Sequence, residues 1–174
     1  MFVSSLDLDM APANATPADF RKAARRFASG VTVVTTRTGT AVHGATVSAF
    51  FTLSLEPLQV LVSLGRAGRL AAMLRESAVF AVCVLAAEQE AVSRAFAAPA
   101  RPTAEGLFPD VASRTIASGA PIIDGCLAFF DCALATTIDQ GDHTLFIGAV
   151  QAVGARDGAP LVYFDGAYRR LEFE

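Results

Sequence analysis

The sequence predicts a mainly β fold: one domain whose strands close into a barrel, with a few short helices at its flanks. β-branched and aromatic residues fill the apolar runs, which come in strand-length blocks bounded by Gly, Pro and Asp. The strands follow one another largely as meanders rather than alternating one by one with helices. The two or three helices that the pattern allows cannot cover strands this apolar, so the sheet must bury its faces by closing on itself.

The elements read in order along the chain. Residues 1–15 are a loose leader, expected to be mobile, and residues 16–174 form the single domain. Thr16 is an N-cap, Pro17 suits the first helical position and Asp19 the positive end. Phe20, Ala23, Ala24 and Phe27 then fall on one helical face, and Gly30 ends the helix. Val31–Thr36 reads as a strand, Thr38-Gly39-Thr40 as a turn, and Ala41–Phe51 as the hairpin partner. Glu56-Pro57 breaks the chain. Leu58–Leu64 is a continuous apolar run, expected to be a strand buried on both faces. Gly65–Gly68 is a tight loop and Arg69–Glu76 a short helix. Ala78–Leu85 is a second buried strand, and Ala87–Ala97 a helix with Val92 and Phe96 on one side. Residues 98–120 form a long irregular connection. Cys126–Ile138, His143–Ala155, Leu161–Phe164 and Tyr168–Phe173 complete the β segments, with Gly141-Asp142 turning between the first two.

Composition narrows the function classes. Of 174 residues, 53% are hydrophobic, and mean hydropathy is +0.45. That exceeds the usual apolar share of about 45–50%. No run approaches the ~20 apolar residues of a membrane helix, so the excess points to an oligomer with an apolar interface. A net charge of −3, from 14 basic and 17 acidic residues, argues against nucleic acid as a partner. The cluster Arg21, Lys22, Arg25 and Arg26 reads as the wet face of the first helix. Cys83, Cys126 and Cys132 are odd in number, lack a CxxC and sit in apolar runs. They read as buried free thiols in a reducing compartment rather than metal ligands. With no basic, apolar leader segment, a cytoplasmic location is expected.

Acid–base groups are scarce. There is no nucleophile elbow, no P-loop and no dinucleotide-binding glycine fingerprint. Three stretches remain. In His43–Ala49 small residues and the hydroxyls of Thr46 and Ser48 would let a flat ring lie against the strand backbone. The same composition also makes an ordinary half-exposed strand. Gln140–Thr144 places His143 at the mouth of a strand, where it meets a ligand or simply decorates a hairpin turn. Ser63–Arg69 combines glycines, a hydroxyl, two arginines and a helix start, as a phosphate cradle or a solvated connector.

Taken in order, these segments resemble the short-chain flavin reductases that serve two-component flavin-dependent monooxygenases. The likeness runs from about Phe20 to Leu171. It is carried by Phe27–Thr36, His43–Phe50, Ser54-Leu55-Glu56-Pro57, Leu61–Leu64, Gly141–Gly148 and Pro160–Phe164. The resemblance implies an FMN-binding split barrel working as a homodimer. It implies that Thr46, Val47, Ser48 and Ala49 line the isoalloxazine, and that Ser63, Leu64 and Arg69 lie on the ribityl-phosphate side. It sets Cys83 among the cofactor contacts, His143 beside the nicotinamide, and Phe164 and Tyr168 near the mouth. Two places depart from the family's pattern. Relatives often flank the position of Arg69 with Ser and Thr, where this chain has Gly68 and Leu70; and a strand that often reads Val-Asn-Val-Leu reads Val82-Cys83-Val84-Leu85. The implied activity is hydride transfer from NADH or NADPH to FAD or FMN, the reduced flavin leaving for a partner monooxygenase. A flavin or heme carrier on the same barrel, and an oxidase of the pyridoxamine-phosphate type, are the rival readings.

Overall fold

The first helix, α1 (Pro17–Ala24), begins where its cap predicts. The Thr16 hydroxyl accepts the Asp19 amide at 3.3 Å, and the Asp19 carboxylate accepts the Thr16 amide at 3.0 Å. The helix stops short of Gly30. The amides of Arg26 and Phe27 bond back three residues to Ala23 and Ala24, which tightens the last turn and ends it. Phe20 and Phe27 are 72% and 71% exposed. Among the described residues the apolar face has little to pack on, and a two-turn helix is not prolonged by pattern alone. The computed structural model describes residues 14–99 and 103–171, so the leader up to position 13 and the segment around Phe173 lie outside the described residues.

The elements that follow are β1 (Ser29–Gly30), β2 (Thr32–Thr38), β3 (Ala41–Val47), β4 (Phe50–Leu55), β5 (Leu58–Gly65), α2 (Arg69–Ser77) and β6 (Val79–Val84). A 3-10 turn (Ala87–Gln89) leads into α3 (Glu90–Ala97), then β7 (Thr103–Glu105), β8 (Ser113–Arg114), β9 (Ile122–Ile123), β10 (Ala128–Gln140), β11 (His143–Ala155), β12 (Val162–Phe164) and β13 (Ala167–Arg169). The expected long strand Ala41–Phe51 is two strands. Between them the Phe50 amide donates to the Ser48 carbonyl at 3.0 Å, a tight turn that pairing cannot cross. The expected doubly buried strand at Leu58–Leu64 instead alternates: Val60, Val62 and Leu64 are buried, while Gln59, Leu61 and Ser63 between them are half-buried. Its second face is only partly covered by the described residues.

The main sheet has eight antiparallel strands in the order β4-β5-β11-β10-β6-β2-β3-β7. Four strands separate β5 from β3 in that order. Even so, Val60, Val62 and Leu64 of β5 share a core with Ala45 and Val47 of β3, and with Leu70, Phe80, Cys132 and Phe146. A sheet whose distant strands meet in one core is rolled into a barrel. Strand β6 serves two cores because side chains alternate: Phe80 and Val82 face the barrel interior, while Ala81, Cys83 and Leu85 face a second core. That outer core is closed by Phe96 of α3, Phe108, Ile122, Ile123 and Leu161. The Phe96 ring sits on Gly44, where an added Cβ would meet it at 2.7 Å. A mainly β split barrel with short helices is thus the fold.

Candidate functional site

The barrel wall opens where β3 gives way to β4. The Ala49 carbonyl accepts the Ser63 amide at 3.0 Å, so the β3–β4 link is tied to β5. Above this tie lies a cleft of about 370 Å³, within the range of about 300–1,000 Å³ usual for small-molecule sites. Its walls are Ala45–Ala49 on one side and Ser63, Leu64 and Gly65 on the other, and Gly68, Leu70, Ala71 and His143 complete the lining.

Each wall follows from local sequence. Ala45 and Val47 point into the barrel, while Thr46 points outward: its hydroxyl donates to the Ser93 carbonyl of α3 at 2.6 Å. Ser93 in turn bonds the Tyr168 hydroxyl at 2.8 Å. Thr46 therefore spends its side chain on the scaffold and offers the cleft mainly its backbone. Ser48, at the break between strands, is exposed. On the far wall, Gly68 is the N-cap of α2 and makes no side-chain cap. Its amide donates to the Gly65 carbonyl at 2.9 Å, and a Cβ there would lie 3.0 Å from that same oxygen. The loop is therefore tight, and the first turn of α2 carries no acidic residue. Uncapped amides of this kind, with no acidic side chain beside them, suit an anionic group.

His143 owes its place to register. It is the first residue of β11, and it pairs with Gly65, the last of β5. Gly141 (φ +58°) makes the preceding turn, as glycine does without strain. The Asp142 carboxylate lies 2.7 Å from His143 Nδ1, and this contact holds Asp142 below the usual carboxylate range. The Asp142 carbonyl accepts the Arg66 amide at 2.9 Å, binding the turn to the loop before α2. Across the same hairpin, the exposed Asp139 accepts from Thr144 at 2.5 Å and from Arg75 at 2.5 Å. It too is held below its ordinary value, first by the Thr144 hydrogen bond and then, against desolvation, by Arg75.

The residues expected at the site divide into two groups. Thr46, Val47, Ser48, Ala49, Ser63, Leu64 and His143 come together on the cleft. Arg69 opens α2 but is not part of the wall; Leu70 and Ala71, not singled out from sequence as ligand contacts, take that position. Cys83 is fully buried in the outer core, where its sulfur accepts the Ile123 amide at 3.3 Å. A side chain on that face of β6 is turned away from the cleft. Phe164 lies on β12, outside the cleft wall. Tyr168 lines a second cleft of about 460 Å³ with Glu90, Arg94 and Tyr163, and Arg94 lies 4.8 Å over its ring. Ser93 connects Tyr168 to Thr46 and has no signal in the sequence beyond its position on α3.

The cleft holds no nucleophile–base pair. Among the described residues there is no group of three or more His, Cys, Asp or Glu placed to bind a metal. What it offers is strand backbone, small side chains, a helix start and one imidazole. A flat polar ring with an anionic tail fits that donor set: ring against Ala45–Ala49, tail toward Gly68 and α2.

Residues 24–172 match the family described as flavin reductase like domain. The chain is 39% identical over 160 residues to an NADH-dependent flavin reductase of a Rhodococcus species, covering 90% of this chain and 88% of that protein. It is 40% identical over 153 residues to the reductase component of a 4-hydroxyphenylacetate 3-monooxygenase of Thermus thermophilus, covering 87% and 95%. The solved structure of the flavin reductase PheA2 superposes with a TM-score of 0.83 at 36% identity, covering 91% of this chain and all of that one (100%). By fold, by the cleft between β3 and β5, and by these likenesses, the chain belongs to the flavin reductase family.

Proposed function

We propose that the protein reduces FAD or FMN with NADH or NADPH, and that the reduced flavin serves a partner monooxygenase. The observation that carries this is the cleft itself: a backbone-walled slot between β3 and β5, lined by His143 and without a nucleophile–base pair. When bound, the flavin supplies the ring that accepts the hydride. The chain's own residues bind, orient and exclude water. Ala45–Ala49 give main-chain groups to the ring edge, Ser63 and the amides of α2 hold the tail, and His143 orients the nicotinamide carboxamide. The imidazole is itself oriented by Asp142.

The protein acts as a homodimer in the cytoplasm. Phe51, Leu53 and Leu55 stand exposed on β4, an edge of the main sheet, with Leu58 exposed opposite Leu55. Apolar edges of this kind are covered in stable proteins, and a second copy brings a matching edge. Three free thiols suit a reducing compartment.

The decisive experiment is anaerobic stopped-flow with NADH and FAD, in which the protein bleaches the flavin band. A rate no faster than that of the protein-free mixture would overturn the proposal. His143→Ala slows the bleaching by roughly two- to tenfold, the worth of one hydrogen bond of about 0.5–1.5 kcal/mol. Its effect on flavin affinity is smaller; an unchanged hydride rate would remove His143 from this role.

A further inference from the structure

The two thiols at Cys83 and Cys126 belong to no part of the cleft, and the chain brings them together by a defined route. Cys83 sits on the outer face of β6, and its sulfur accepts the Ile123 amide at 3.3 Å. After Ile123 the chain doubles back through Gly125 (φ +74°), a backbone shape that suits glycine. This return packs Cys126 against the outer core that holds Cys83, with the Leu127 amide donating to the Val84 carbonyl at 2.8 Å beside it. The turn is clamped from outside. Arg156 donates to the Gly125 carbonyl at 2.6 Å and to the Cys126 carbonyl at 3.2 Å. Arg114 lies 3.5 Å from Asp124. The two sulfurs differ in access: Cys83 is fully buried, whereas Cys126 is half-buried between two guanidinium groups.

We propose that Cys83 and Cys126 form a redox dithiol that hydrogen peroxide oxidises to a reversible intramolecular disulfide. Cys126 is the attacking thiol. The neighbouring Cys83 thiol and the charges of Arg114 and Arg156 hold it below the usual thiol range against the opposing effect of burial. Cys83, by contrast, keeps its proton well above that range. A partly exposed thiol among cations is the reactive kind. Its thiolate attacks one peroxide oxygen; the O–O bond breaks and hydroxide leaves, taking a proton to become water. The Cys126 sulfenic acid so formed is then attacked by the Cys83 sulfur. The S–O bond breaks, and the departing hydroxide takes the Cys83 proton as a second water. Two thiols have lost two electrons, and one peroxide has gained them. Free reduced flavin meeting oxygen is one source of peroxide, but the dithiol chemistry does not rest on the proposed activity.

Cys132 cannot substitute for either partner. It lies on β10 but faces the barrel interior, in the opposite core, and burial, with Asp131 beside it, pushes its thiol up to about 12. The disulfide would staple the turn before β10 to β6, on the face of the sheet turned away from the cleft.

The test uses the full chain with added hydrogen peroxide and no flavin or nicotinamide, so it stands or falls apart from the reductase proposal. After the reaction the protein is denatured, alkylated and peptide-mapped. Free thiols should fall from three to one per chain, with Cys83 linked to Cys126, and dithiothreitol should restore all three. Cys132→Ser should still form the link. Cys83→Ser should leave Cys126 without a resolving thiol, so that it takes up oxygen instead. Three surviving thiols, a link through Cys132, or a link between two chains would each overturn the proposal. The wild-type map alone decides between these outcomes should a variant fail to fold.

Discussion

Gly148 of β11 shows how one residue sets the barrel's packing. A Cβ there would run into the Phe80 ring and come within 2.9 Å of the Cys132 Cβ. The interior is close-packed and cannot yield at that point. Gly148→Ala therefore lowers stability by about 1–3 kcal/mol, read from urea denaturation. Gly30→Ala is the control: nothing lies within 4 Å of the added atom, and the change stays within about 0.5 kcal/mol. An equal loss in both variants would refute the packing argument. At this scale the candidate site was partly legible. Small and hydroxyl residues at 44–49 mark a strand that a flat ligand can approach. That Thr46 would turn its hydroxyl to α3 depends on where Ser93 sits, and no spacing along the chain records it. Cys83 misled for a related reason: a strand buried on both faces gives no sign of which face looks at a ligand.

At the scale of the element, the β10–β11 hairpin lends the fold a pH-dependent contribution to stability. Asp139 is stabilised as a carboxylate in the folded chain, and its ordinary value is 3.8. A folded value below the unfolded one means that the stabilisation is complete above the unfolded value and is lost as pH falls through the folded one. Wild-type stability should thus drop more steeply than that of Asp139→Asn below about pH 4, measured as urea midpoints along an acid series. Parallel curves would show that the Thr144 and Arg75 contacts add nothing to stability. Elements with strong local chemistry were read well from sequence: His143–Ala155 is β11 to the residue, and α2 runs one residue past its expected end. The expected helix to Gly30 failed because an apolar repeat needs a surface to bury against, and α1 buries no residue. The expected double burial of Leu58–Leu64 failed because a run of apolar residues cannot say whether its second face meets this chain or another.

At the scale of the molecule, that open face is the prediction. The exposed apolar side chains of β4 and β5, with Leu55 at 86%, lie together on one edge of the sheet. If the proposed dimer forms through this edge, the purified protein should elute as a dimer and Leu53→Asp combined with Leu55→Asp as a monomer, by light scattering after gel filtration. A dimer that survives both charges would move the interface elsewhere. Closure of the barrel was legible from the excess of apolar strands over helices. Strand order was not, because it depends on pairings between residues as far apart as Gln59 and Ala149.

The cleft is walled largely by main chain and small side chains, so its information resides in strand alignment more than in residue identity. Such a site tolerates drift: replacing one small residue by another leaves the wall standing, and affinity shifts by degrees. It is fragile to a different class of change. Deleting one residue from Ala41–Val47 exchanges every inward and outward position, which would turn Thr46 into the barrel and Ala45 toward α3. Divergence at this site should thus be generous in substitutions and intolerant of insertions and deletions.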